Sequence, residues 1–260
     1  MRLSIDAELD YTLASPVDML FAIEVAQMPD QVLVTDELVM GGVDILRPID
    51  GAESLGRRFW AFGGDQVTAH YTATVDVERA VVPLPGLPTD RLHDLPPLVV
   101  PYLFPSRYCE ADRLETFVGR EFGNLNGGDA IHAITGWIGG HVDYVPGSSN
   151  VNTTAVDTFV SGRGVCRDFA HLLTAMARAA GVPARMVGAY AWGLKPQDFH
   201  AVVEVWLAGS WHLVDPTGLA SPEGIVRIGV GRDATDISFL TIFGQATLNR
   251  QQVRVERVEG

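Results

Sequence analysis

A cysteine heads a helix-forming run, Gly164-Val165-Cys166-Arg167-Asp168-Phe169, which continues from Ala170-His171-Leu172-Leu173 to Ala179-Ala180-Gly181. Backbone N–H groups in a first helical turn lack intrahelical partners, and the helix dipole favours negative charge there. That position favours a thiolate and makes Cys166 a candidate nucleophile. Downstream, Asp198-Phe199-His200-Ala201 offers a base and Val214-Asp215-Pro216-Thr217 a carboxylate to orient it. The chemistry such a set can do is acyl transfer. The thiolate attacks a carbonyl, and the imidazole takes the thiol proton and later protonates the leaving amine. The carboxylate holds the ring's tautomer. The Cys166 backbone N–H is an oxyanion donor by position. Candidates for a second donor are Tyr144, Asn150 and Asn152.

Helix and strand geometry narrow the partners. His171 lies five residues after Cys166, about 140° away around the helix, and Asp168 lies about 200° away. Neither faces the thiol, and Asp168 is better suited to capping the helix start. His200 opens the run His200-Ala201-Val202-Val203-Glu204-Val205-Trp206-Leu207. Alternation puts His200, Val202, Glu204 and Trp206 on one face and an apolar set on the other. Trp211 to Asp215 returns beside it as a hairpin, with His212 and Asp215 on opposite faces. With Trp211 opposite Leu207, Asp215 falls opposite Val203, on the wrong face for His200. The spacing therefore predicts a β-bulge in this hairpin. On these residues alone, an inert buried cysteine remains the alternative.

Other reactive residue types read as structural. Cys109 has no base beside it and reads as packed. His132 and His141 read as surface or packed histidines on a helix. Arg232-Asp233 reads as an ion pair or turn. His70 reads as a strand residue without a second ligand at metal spacing. His200 and Glu204, four apart on a strand, are separated by about 13 Å, too far to chelate. No cofactor or metal is expected.

Before and after this site, the chain changes character. Residues 1–82 alternate as strands at Arg2–Leu9, Gln31–Thr35 and Gln66–Val77, with turns at Gly41-Gly42 and Gly63-Gly64-Asp65, predicting a sandwich-like β domain. Seven of the 15 prolines fall in 83–105, predicting an extended linker. Residues 106–260 run first through helices, over 112–122, 128–142, 154–160 and the Cys166 segment. Strands follow at 184–191, 200–207, 211–215, 224–228 and 252–258. This order predicts an α+β domain. With 32 acidic against 19 basic residues the net charge is −13, which argues against nucleic acid and anionic membranes as partners. Two cysteines make no disulfide framework, and the first residues lack a secretory apolar core, so a reducing cytoplasm is expected.

Gly162-Arg163-Gly164-Val165-Cys166-Arg167-Asp168-Phe169-Ala170-His171, Gly181-Val182-Pro183-Ala184-Arg185, His200-Ala201-x-x-Glu204-Val205 and Asp215-Pro216-Thr217 together resemble the transglutaminase-like superfamily of bacterial proteins. Tyr144-x-Pro146-Gly147 and Gly231-Arg232-Asp233 extend the likeness. The β-rich start is similar to the region that accompanies such domains. The resemblance implies a papain-like α+β core and assigns the family's cysteine, histidine and aspartate to Cys166, His200 and Asp215. It implies thiol-dependent cleavage or transfer at an amide of a peptide or protein, through a thioester. Hydrolysis is the favoured outcome, with transamidation and a non-catalytic binding protein of the same fold as alternatives. The sequence departs from the common pattern at Val202, where many relatives carry tryptophan, a change expected to fall on the pocket wall.

Overall fold

The computed structural model describes residues 1–258. Its first part is two facing antiparallel sheets built from β1 (Arg2–Leu13), β2 (Val17–Phe21), β3 (Gln31–Gly41), β4 (Ile45–Asp50), β5 (Arg57–Gly63) and β6 (Gln66–Val77). Alternation does the sorting. Leu3, Ile5, Ala7 and Leu9 of β1 point inward with Val67, Ala69, Tyr71 and Val75 of β6. They meet Met19, Phe21, Phe59 and Ala61 of the facing sheet, where Phe21 and Phe59 stack with ring centroids 5.0 Å apart.

The second part holds α1 (Ala111–Phe122), α2 (Gly127–His141), β7 (Asp143–Tyr144), α3 (Ala155–Ser161), β8 (Arg163–Gly164) and α4 (Cys166–Ala179). A sheet in the order β11-β10-β9-β12 follows, from β9 (Ala184–Ala191), β10 (His200–Leu207), β11 (Ser210–Val214) and β12 (Ile225–Gly231). Helix α4 is enclosed, with every residue from Asp168 to Arg178 buried. Its apolar side chains share a core with α1, α2 and the face of β10 that carries Ala201, Val203, Val205 and Leu207. At its far end Arg178 donates to the carbonyls of Ala184, Phe104 and Arg232. Those bonds tie the chain on either side of α4 to the helix end. After the short α5 (Ala234–Ile237) come β13 (Leu240–Ile242) and β14 (Ala246–Arg257). Among the described residues no helix is long and apolar enough to cross a membrane.

The expected division at residue 106 does not describe the pairing. β14 lies antiparallel to β1, and β13 to β2, so the chain's last strands complete the two N-terminal sheets. Alternation marks a segment as a strand but does not name its neighbour. The two parts also share packing. Tyr190, Val226 and Ile228 join the N-terminal core. Buried Gln31 donates to the carbonyls of Ala26 and Arg227 and accepts the Arg227 N–H. Residues 83–105 are a fitted strap rather than a free linker. Leu95, Val99 and Tyr102 are buried, the Leu87 carbonyl accepts from Gly128 N–H, and the Pro88 carbonyl from Ala208 N–H. Proline forbids regular helix but not burial of the residues between prolines.

Candidate active site

Cys166 is the first residue of α4, preceded by the extended residue Val165. The carboxylate of Asp168, fully buried, accepts the Val165 N–H at 2.9 Å, satisfying one orphan donor of the helix start. Arg167 holds that carboxylate and reaches back to the Asn150 carbonyl at 2.8 Å, fixing the 145–153 loop beside the helix start. The short parallel pair β7–β8 places Tyr144 opposite Gly164, two residues before the cysteine.

His200 begins β10 and is buried. Its Nε2 is 2.9 Å from Asp215 Oδ2, which leaves Nδ1 for the Cys166 sulfur that the ring faces. Burial opposes charge on this ring, but the Asp215 carboxylate and the sulfur outweigh it and raise its pKa from 6.5 to about 9. Asp215 is held from four directions. Oδ1 accepts the Thr217 N–H at 2.9 Å and its hydroxyl at 2.6 Å, and Oδ2 accepts the Ala220 N–H at 2.9 Å besides His200. Burial works against its charge, yet these bonds and the imidazole keep its pKa below the usual carboxylate value.

The predicted bulge is absent from this hairpin. Trp211 pairs with Trp206 and Ser210 with Leu207, so the register is one residue from that assumed above. Ala208 and Gly209 form a two-residue turn, both with positive φ (50° and 76°), as a type I′ connection requires. Continued one step past Val214, that register aligns Asp215 with Val202, on the same face as His200. The tight turn alone supplies the parity.

His171, excluded as the base, is buried against Tyr108, with rings stacked 5.0 Å apart. Its Nε2 accepts the Ala234 N–H at 3.2 Å, and burial lowers its pKa to about 4. Cys109 is buried, and burial pushes its thiol to about 12. His141 stacks on Trp137 and His132 is exposed. Asp233 does not pair with Arg232. It caps α5 through Thr235 N–H and accepts Tyr108 N–H, while Arg232 pairs with Asp236. Val202 is fully buried among Val187, Ala189 and Ile225, so that departure lies in a core and not on a pocket wall. The Asn150 side chain closes its own loop by accepting Asn152 N–H.

His70 does have neighbours of ligand type. Asp6 and Glu8 of β1 lie beside it, with ligand atoms within 4.8 Å of one another, because β1 pairs Glu8 with His70. Sequence spacing does not display cross-strand neighbours. Thr217, which binds Asp215 through both its N–H and its hydroxyl, is a site residue that the motif Asp215-Pro216-Thr217 does not single out. Its signal was the position two residues after an aspartate, where an Asx turn forms.

A sequence profile of the Transglutaminase-like superfamily matches residues 116–216, a span that contains Cys166, His200 and Asp215. A crystal structure from Cytophaga hutchinsonii, described as a "Putative Cysteine Protease", is 33% identical, covers 100% of this chain and 91% of that one, and superposes with a TM-score of 0.92. An uncharacterized protein of Mycobacterium leprae (strain TN) is 32% identical over 149 residues, 52% of each chain, so the match spans about half of that curated relative. The fold and its helix-start cysteine are those of a transglutaminase-like core joined to a β-sandwich. The chain belongs to the transglutaminase-like superfamily.

Proposed function

We propose that the protein is a cysteine-dependent amide hydrolase acting on a peptide or protein through a thioester. The observation that carries this reading is the His200 ring, bonded through Nε2 to Asp215 and facing Cys166 with its other nitrogen. With its pKa near 9, His200 holds a proton across the neutral range, and the reaction proposed starts from the imidazolium with the sulfur as its nucleophile. The sulfur adds to the carbonyl carbon and the carbonyl π electrons move to oxygen. Collapse then expels the amine, which takes the His200 proton, and leaves a thioester. Neutral His200 next draws a proton from water, whose oxygen attacks the thioester and releases the acid. Asp215 holds the ring in place throughout.

Water is the acceptor present at the highest concentration, which favours hydrolysis over transfer to an amine. Incubating the protein with a peptide library, with and without a primary amine, and weighing the products tests this. Cleaved acids as the main product in both arms, absent with Cys166→Ala, is the expected result. Amine-bearing products as the main species would overturn hydrolysis in favour of transamidation. No product dependent on Cys166 would overturn both.

A further inference from the structure

The outer face of the N-terminal sheet sets a histidine among carboxylates. Because Leu3, Ile5, Ala7 and Leu9 of β1 point inward, Asp6 and Glu8 point outward. His70 of β6 points the same way, between inward-facing Ala69 and Tyr71. The antiparallel register puts Glu8 directly opposite His70 and Asp6 opposite Thr72, so Asp6 is the diagonal neighbour of the imidazole. One ligand-type atom from each of the three residues lies within 4.8 Å of the others. His70 Nε2 and Asp6 Oδ2 are 3.4 Å apart. That is long for an N–H···O bond, which prefers about 2.7–3.2 Å. It matches two ligands of one tetrahedral ion, since atoms about 2.0–2.1 Å from zinc stand about 3.3–3.4 Å from each other.

We propose that Asp6, Glu8 and His70 form a binding site for one zinc ion, separate from the chemistry at Cys166. Imidazole and carboxylate are both zinc ligands, and three of them leave a fourth position to water. A histidine among three ligands selects a borderline transition ion over calcium or magnesium, which take oxygen throughout. Asp6 lines a concavity of about 530 Å³ with Thr35, Glu37, Thr72 and Arg254, so water has room to complete the coordination. Two cations stand close by. Arg250 holds Glu8 at 2.9 Å and competes with the ion for it, while Arg254 lies opposite Asp6 on β14. Glu8 therefore turns from Arg250 to the ion, a rotation of a side chain that water already reaches. Bound there, the ion joins β1 to β6 within the sheet that β14 completes. It binds the folded chain and not the unfolded one, and so stabilises the fold.

Calorimetric titration of the full chain with zinc chloride tests the site, in a Cys166→Ala background so that the thiol does not compete for metal. One equivalent bound is expected, with a melting temperature raised by a few degrees at saturation. Losing a partner behind a metal ligand costs about 10–100-fold in affinity, so His70→Gln and Asp6→Asn should each cost at least about 10². Both side chains are open to water, so without metal these variants should melt as their parent does. Arg250→Gln, which frees Glu8, should tighten binding a few-fold. Calcium chloride titrated in parallel should bind more weakly than zinc. Absence of saturable zinc binding, or equal zinc affinity in His70→Gln and its parent, would overturn the site. Calcium bound more tightly than zinc would also overturn it, since that marks carboxylates acting without the imidazole.

Discussion

His200 and Glu204 lie on the same face of β10, four residues apart, and each meets an opposite charge out of reach of water. At Glu204 every oxygen is committed. Oε2 accepts from Arg185 Nε at 2.8 Å and Oε1 from Arg227 Nη1 at 2.7 Å, while Arg185 also pairs with Glu53 and Arg227 with Asp30. The set ends in two further carboxylates, Glu53 and Asp30, and contains no nucleophile. At His200 the same kind of chain, Thr217 to Asp215 to imidazole, stops at the half-buried sulfur of Cys166. A buried charge pair is therefore not a site by itself. What separates the two is an open end that carries a nucleophile, next to a group whose proton moves in the working range.

The largest effect expected from this contrast is on rate. His200→Ala should lower amide turnover by about 10³ or more while moving the melting temperature by a few degrees, read by steady-state kinetics and calorimetry. Glu204→Ala should do the reverse. It takes from two buried guanidinium groups one of their carboxylate partners each, which costs about 3–5 kcal/mol in urea unfolding, and the protein that remains folded should alkylate normally at Cys166. Swapped outcomes, with rate lost at Glu204 and stability lost at His200, would undo the comparison.

The other buried histidine supplies a pH test. His171 is neutral in the fold, with its pKa near 4, whereas the unfolded chain binds that proton below 6.5. The unfolded state thus gains protons as pH falls from 6.5 to about 4, and stability drops by up to about 3 kcal/mol over that window. His171→Gln should flatten this slope in urea titrations. His200 has the opposite sign. Its pKa is raised to about 9, so its contribution is full below 6.5 and is lost as pH rises through 9. The smallest effect belongs to Thr217→Val. It removes a hydroxyl from Asp215 at a cost of about 1 kcal/mol and leaves the pKa of His200, read by NMR titration, raised.

Much of this site was legible in the chain because its logic is local. Gly181 and Pro183 stop the Cys166 helix, alternation delimits β9 and β10, and helix angle removes His171 and Asp168. What was not legible depends on partners far along the chain. β14 reads as a strand, yet nothing in Gln252-Val253-Arg254-Val255 says that it lies beside β1. The parity of Asp215 turned on a single residue of register, which Ala208-Gly209 settles by taking positive φ at both positions. Alanine gives no sequence cue for that conformation. β4 and β5 are not legible in the sequence because Pro48 and the Arg57-Arg58 start interrupt their alternation.

The most direct test of the Cys166–His200 pairing is the rate at which iodoacetamide labels Cys166 at pH 6. The account predicts labelling at least about tenfold faster than for the same cysteine in the urea-unfolded chain, with that advantage lost in His200→Ala. Equal rates in the folded and unfolded chains, or an advantage that survives His200→Ala, would contradict it.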